Sequence, residues 1–335
     1  MTDILLAKPK LPPDFIDVSV GEPHLVRDNL IKVFNLNNSL KSIDVQEMAY
    51  PYSTGYQPLV KYLEDKHQAP VIITNGAKQA LGAVFYALSK MNKTKVNMRR
   101  PYWALIPPLA RMHGIDCVYD SEGQAELCLA PNNPDGFVPD LEQLSKSCQE
   151  KNIPLIHDAA YYTHIYLPRK VKLTTIGDVQ IFSISKMLGL SGLRLGYAVC
   201  PNVEFYQYIK EYMEAMTVGV SIVSQKFLYK LMVDIMEPQP YQVRGFEDMC
   251  SNDLEDNKRM LLRLDSEVLE IPNNIKDISG MFGWFKVGSK ADFNKAKIHP
   301  ISGDLFGMPG YIRMNLAFSK STMQEIVNRL DKLSI

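Results

Sequence analysis

The chain has 335 residues, 46% of them hydrophobic, with 37 basic against 37 acidic side chains. That is enough for one large domain or two modest ones with a real core, and zero formal charge gives no general attraction to nucleic acid or anionic lipid. Five scattered cysteines without a CxxC pair, no run of eighteen apolar residues and an "ILLA" too short for a secretory signal lead us to expect a cytoplasmic protein with reduced thiols, no metal site, and neither nucleic acid nor membrane as partner.

Residues 1–20 read as an arm: the Pro-rich "KPKLPPD", then a short strand "FIDVSV" that runs into "GEP". Residues 26–48 are polar and partly helical, and "QPLVKYLEDKH" (57–67) has helical spacing with a start near Pro58. Short apolar runs follow: "VIIT" (71–74), "KVNM" (95–98), "DCVY" (116–119), "ELCLA" (126–130), "PLIH" (154–157), "DVQIFS" (178–183) and "LGYAV" (195–199). Amphipathic stretches such as "WALIPPLARMHG" and "LEQLSKSCQEKN" separate several of them. This alternation predicts an α/β fold whose large domain has a mainly parallel sheet between helices. A long helical stretch at about 203–265 comes next. "GMFGWFKV" and "GYIRMNLAF" then read as strands of a small α+β unit. The expected division is 1–45 for the arm and part of the small domain, 46–235 for the large domain and 236–335 for the C-terminal small domain.

In open α/β sheets ligands bind beyond the carboxyl ends of the strands. The polar residues there are Asn75-Gly76-Ala77, Arg100 to Trp103, Asn132-Asn133, Asp158, Ser183 and Ser185-Lys186. Lys186 lies among small and apolar residues, with Arg194 eight positions on. Desolvation and a neighbouring cation both favour a neutral amine, which Schiff-base chemistry with an aldehyde requires; a lysine reaching from a turn to solvent is the plainer reading. Asp158 ends an apolar run and calls for a cationic partner, which a protonated pyridine nitrogen would supply. His157 points to the other face and reads as a core histidine. "TNGAKQAL" sets a glycine turn before a helix, an anion site suited to phosphate, and Arg194 with Ser183 and Ser185 could complete the cup. Trp103 could lay its face on a flat ring, or pack in the core.

A lysine, an arginine eight residues later, an aspartate before them, "NNP" and a late "R-M-N" together resemble the pyridoxal-phosphate (PLP) aminotransferases of fold type I, class I/II. The resemblance runs from "VGEP" to "YIRMNLAFS", and "SISKMLGLSGLRLGY" is its most specific part. It implies pyridoxal 5′-phosphate as cofactor, with Lys186 as the Schiff-base lysine and later proton carrier. It also implies Asp158 as the pyridinium partner and Tyr161 and Asn133 as donors to the ring oxygen. The phosphate would be held by Gly76, the Ala77 and Lys78 amides, Ser183, Ser185 and Arg194, with the Lys78 side chain solvated. Trp103 would stack, Arg313 would grip the substrate carboxylate, with Asn133 beside it and Gly21 backbone close by, and Tyr50 would reach a phosphate in the neighbouring subunit of a homodimer with shared sites. The substrates implied are an L-amino acid and a 2-oxo acid.

"NNPDG" and "HDAAYY", with Ala159 where an acidic residue is usual, look closer to the alliinase and plant tryptophan aminotransferase branch. No arginine occurs in 211–221 as a second carboxylate clamp, and Met213 and Met216 there suit an apolar or aromatic side chain. Arg99 and Arg100 read as solvated. β-Elimination by a carbon–sulfur lyase on the same fold is the alternative activity. A nicotinamide oxidoreductase is disfavoured, because "GLSGLRLG" lacks the GxGxxG spacing.

Overall fold

The computed structural model describes residues 11–34 and 49–334. The start of the expected arm and the stretch after Phe34 lie outside the described residues. Strand β1 (Ile16–Asp17) comes first, and the large sheet follows. That sheet comprises β2 (Val71–Thr74), β3 (Lys95–Met98), β4 (Asp116–Tyr119), β5 (Ala125–Leu129), β6 (Leu155–Asp158), β7 (Val179–Ser183) and β8 (Gly196–Val199). Their spatial order is β2-β8-β7-β6-β5-β3-β4. Six strands run in one direction, and β8 alone runs against its neighbours. The mainly parallel α/β sheet read from the sequence is present, with most strand limits within a residue of the apolar runs. Strands β2, β6, β7 and β8 are buried along their whole length, which is why they are continuous apolar runs rather than alternating ones.

Helices cover the sheet by burying one stripe. The Gly76–Lys90 helix buries Ala80, Leu81, Ala83, Val84, Phe85, Ala87 and Leu88 and packs on Val203–Thr217, which turns Phe205, Ile209 and Met213 inward at four-residue spacing. Asn202 caps the latter helix by accepting from the Glu204 amide at 2.9 Å. The helical stretch expected over 203–265 is not continuous. It breaks at Val218 and Gly219, both with positive φ, and resumes as Ile222–Tyr229, a π-helical turn Lys230–Met236 and the long helix Pro240–Met260. Gly219 is needed where it is: a Cβ there would lie 2.8 Å from Pro51.

The second unit has a four-stranded antiparallel sheet built from β9 (Leu269–Glu270), β10 (Phe282–Val287), β12 (Ile301–Ser302) and β13 (Tyr311–Asn315), in the order β12-β13-β10-β9. Strand β11 (Ile298–His299) instead pairs with β1. The N-terminal segment therefore belongs to this unit. Its His24–Phe34 helix packs on Pro240–Met260, where Asn29 donates to Asp253 at 2.9 Å.

Candidate active site

The carboxyl ends of the parallel strands open on a cleft of about 440 Å³ between the two units. Strand register brings the chemistry there. Asp158 lies level with Leu129 and Ile181, while Ser183 and Thr74 flank Gly196, the first residue of the reversed strand. Of the residues singled out above, Gly21, Gly76, Ala77, Lys78, Trp103, Asn133, Asp158, Tyr161, Ser183, Ser185, Lys186 and Arg194 all line this one cleft.

Lys186 sits on the single helical turn Ile184–Met187 after β7. Its Nζ donates to the Gly21 carbonyl, and its own carbonyl accepts from the Tyr166 hydroxyl at 2.8 Å. Burial pushes the amine down to about 8, with Arg313 and Arg194 adding to the effect and Glu22 opposing it. At neutral pH it is thus far closer to the free base than a solvated lysine. Gly21 has no room for a side chain, since a Cβ would meet Phe282 at 3.0 Å and Lys186 Nζ at 3.5 Å.

Asp158, 2% exposed, accepts a single hydrogen bond, from the Ala160 amide at 3.1 Å. Burial raises its carboxyl to about 7, and no cation of the described residues offsets this. A carboxylate kept in that state is a site for a buried N–H⁺. His157, on the other face, donates from Nε2 to the Ala130 carbonyl at 3.2 Å and accepts from Gln180 at 2.9 Å. Burial holds it down at about 4, so it is the neutral core histidine expected.

The opposite end of the cleft is cationic and rich in free N–H groups. Gly76, at φ 75°, turns β2 into the Gly76–Lys90 helix, whose first amides face the cleft with the helix dipole behind them. The Arg194 guanidinium comes within 3.4 Å of where a Gly76 Cβ would be and is steadied by its bond to the Ser191 carbonyl at 2.8 Å. Lys78 is exposed, as expected. Burial of part of its length and the nearby Arg194 lower its pKa, and its Nζ lies 5.9 Å from the Trp103 ring. Two cations facing an amide-lined turn leave a place for a dianion. Gly196 permits this, because a Cβ there would stand 2.7 Å from the Ala77 amide nitrogen and 2.6 Å from the Phe182 carbonyl. Gly196→Ala is therefore expected to displace the turn and weaken cofactor phosphate binding at least about tenfold, roughly the loss of one charge-assisted hydrogen bond; titrating apoprotein with pyridoxal phosphate measures it.

At the substrate end stands Arg313, expected to grip the substrate carboxylate. It does not line the cleft. It is 5% exposed, lies between the rings of Phe282 (4.2 Å) and Phe306 (5.2 Å), and reaches the cleft wall by donating to Asn133 Oδ1 at 3.0 Å. Its Nη2 donates to the Ser19 carbonyl, while Nε is buried without a partner. Burial lowers its pKa to about 10. This is a cation with spare donors one layer behind the lining, and an incoming carboxylate would fill them.

These residues fit pyridoxal phosphate: a buried carboxylate short of a cation, a depressed amine and an anion cup share one cleft, with an orphaned guanidinium nitrogen of Arg313 behind its wall. The family model described as allinase matches residues 62–334. This chain belongs to the allinase family. Its fold is that of the fold type I pyridoxal-phosphate aminotransferases: the aromatic aminotransferase from Pyrococcus horikoshii OT3 superposes with a TM-score of 0.76 at 16% identity, over 99% of this chain and 97% of that one. In sequence, the chain is 23% identical to a probable aspartate/prephenate aminotransferase of Aquifex aeolicus (strain VF5), over 95% of this chain and 91% of that protein. It is 33% identical to tryptophan aminotransferase-related protein 2 of Arabidopsis thaliana, over 48% of this chain and only 38% of that protein's length.

In this allinase-family chain several sequence readings are corrected or extended. Met213 is wholly buried in the core and Met216 is 61% exposed; neither lines the cleft, so they cannot select a substrate from within it. Tyr50 is 89% exposed and stands outside the cleft. Arg99 pairs with Asp135 at 2.8 Å and covers the Phe137 ring, and Arg100 covers Tyr119; both stay away from the cleft. Sequence reasoning missed Glu22, which lines the cleft, accepts from Ser191 Oγ at 3.1 Å and pairs with Arg27 at 3.5 Å. It also missed Tyr166 and Asn315. The "GEP" and "RMN" tripeptides held the only sequence signal for Glu22 and Asn315.

Proposed function

We propose that this protein is a pyridoxal-phosphate-dependent aminotransferase that moves the amino group of an L-amino acid with an apolar or aromatic side chain to a 2-oxo acid. One observation carries the reading: Lys186 and Asp158 face the same cleft, with a phosphate-sized cationic cup at its end. Bound pyridoxal phosphate supplies an aldehyde that condenses with primary amines and a ring that takes up electron density. The protein's part is to place charges and protons. Asp158 would hold a proton on the ring nitrogen, and Asn133 and Tyr161 would donate to the ring oxygen. The Gly76–Ala77–Lys78 amides, Ser183, Ser185 and Arg194 fasten the phosphate. Lys186 Nζ, once free, takes a proton from the substrate Cα and returns it on the other side of the reaction. Arg313 orients the α-carboxylate through its spare donors, next to Asn133.

The substrate class rests on the lining. Among the described residues its cations are Lys78, Lys186 and Arg194; Lys186 and Arg194 are assigned to the cofactor and the Lys78 side chain is exposed to solvent, so no buried arginine of the lining is left for a second carboxylate. Val20, Trp103, Leu129 and Ala160 supply apolar surface, and the Glu22 carboxylate at the rim repels acidic side chains. A homodimer belongs to the same reading. Tyr50, Tyr52, Met216 and Val218 are exposed, and Gly219 abuts Pro51 and the Tyr52 carbonyl, so these apolar groups form one patch suited to a second copy. A cytoplasmic location accords with five free cysteines.

Membership of the allinase family favours one second reading, a carbon–sulfur lyase. Both are tested by adding a panel of amino acids to holoenzyme and following the cofactor spectrum. Rapid bleaching of the near-visible band by apolar and aromatic donors, reversed by a 2-oxo acid, is the expected result. Pyruvate and ammonia released from S-substituted cysteines without any added 2-oxo acid would overturn it in favour of the lyase.

A further inference from the structure

The loop from Ser19 to Glu22 carries carbonyls that point alternately to two sides. Those of Ser19 and Gly21 face the site, where they accept from Arg313 Nη2 and Lys186 Nζ. Those of Val20 and Glu22 face away, and one side chain takes both: Asn315 Nδ2 donates to Val20 O at 2.9 Å and to Glu22 O at 2.8 Å. The amide is used to capacity, since its Oδ1 accepts from the Ala317 amide at 2.9 Å, and its backbone N–H donates to Val18 O at 2.7 Å. Asn315 is wholly buried, so no water replaces these bonds. The loop has other ties at its two ends, where the Ser19 amide donates to Asp17 at 3.0 Å, the Glu22 carbonyl also accepts from the His24 amide at 3.1 Å and the Glu22 carboxylate accepts from Ser191 Oγ at 3.1 Å. Asn315 is the side chain that spans the loop from residue 20 to residue 22.

We propose that Asn315 is a positioning residue for the reaction: by fastening the carbonyls of residues 20 and 22 it aims those of residues 19 and 21, and so sets where Arg313 meets the substrate carboxylate and where the amine of Lys186 rests when it is free. One residue separates Arg313 from Asn315 on β13, so both side chains leave the same face of one strand and a single rigid element governs grip and loop together. The inference rests on the reading of Arg313 as the carboxylate-binding group.

A matched control exists within the same fold. Asn257, also buried, makes the same kind of double bond, donating to Leu316 O and Phe318 O, each at 2.9 Å. It fastens the chain after β13 and its side chain makes no bond to residues 19–22. Asn315→Leu and Asn257→Leu each delete two donors without adding charge, and Asn315→Ser with Asn257→Ser form a milder pair that retains a hydroxyl. In holoenzyme, both members of a pair should lose similar thermal stability. Only the Asn315 variant should raise KM for the amino donor about tenfold or more while kcat falls less, and only it should speed hydrogen exchange of the amides in 18–23 about tenfold. Equal KM changes in the two variants, or unchanged exchange at 18–23 in Asn315→Leu and Asn315→Ser, would overturn the proposal. Exchange is read without turnover: a faster loop in a protein that transaminates no amino acid leaves the clamp standing and removes the functional reading instead.

Discussion

Lys186→Ala is expected to leave a folded protein that binds pyridoxal phosphate without its near-visible band and turns over no amino acid, with kcat lower by about 10⁴-fold or more. Two losses combine. The covalent attachment disappears, and so does the base that moves the Cα proton, a contribution worth about 10²–10⁴-fold by itself. The structure supports retention of the fold. Lys186 Nζ makes one bond, to the Gly21 carbonyl, while its backbone is held independently by Tyr166. The phosphate cup at Gly76, Ser183 and Arg194 is untouched, so cofactor should still bind reversibly. Absorbance of the dialysed variant and a single-turnover assay check both parts. Residual turnover above one part in a hundred would remove Lys186 from the centre of the chemistry.

Asp158→Asn should have opposite effects on the protein with and without cofactor. In the cofactor-free protein burial raises Asp158 from its ordinary 3.8 to about 7. A folded-state pKa above the unfolded one means the folded protein binds this proton more tightly. The stability gained is complete below pH 4 and is lost as the pH rises through 7, roughly 4 kcal/mol in all for a gap of about three pH units. Asparagine removes that slope. Apo Asp158→Asn should therefore melt several degrees above the apo parent protein at pH 7.5, and near it at pH 4. With pyridoxal phosphate bound the order reverses, because the parent carboxylate then pairs with the ring N–H⁺ and the amide cannot. Turnover should fall about 10²-fold or more for want of that charge. Melting curves from pH 4 to 8, with and without cofactor, decide the matter; parallel apo curves for the two proteins would show that Asp158 is not the strained group described here.

Much of this site was legible because it hangs on strand ends. Asp158, Ser183 and Lys186 each follow an apolar run, and a run buried on both faces is readable from hydrophobicity alone. The Gln57–His67 helix matched its expected limits because Pro58 and the spacing of Leu59, Val60 and Leu63 mark it locally. What could not be read depends on distant pairing. The recess that draws Arg313 behind Asn133 is made by Phe282 and Phe306 from other elements. Asn315 finds its acceptors 293 and 295 residues away in sequence, and nothing near it announces them. The helix break at Val218 was hidden because a β-branched residue there adopts a positive φ of 58°, which local preference argues against. Met213 was misjudged for a simpler reason: with Phe205 and Ile209 it completes an inward stripe that the spacing already showed.

Because β1 pairs with β11, and Asn315 holds the Val20 and Glu22 carbonyls, residues 16–22 are tied to strands made near the end of the chain. During translation the Asn315 contacts to this loop can form only after residue 315 has left the ribosome, long after Asp158 and Lys186 have emerged. The clamp on the 19–22 loop is thus completed late in synthesis. A nascent chain halted before β13 would hold Lys186 and its receiving carbonyl at Gly21 but not the Asn315 clamp on that loop.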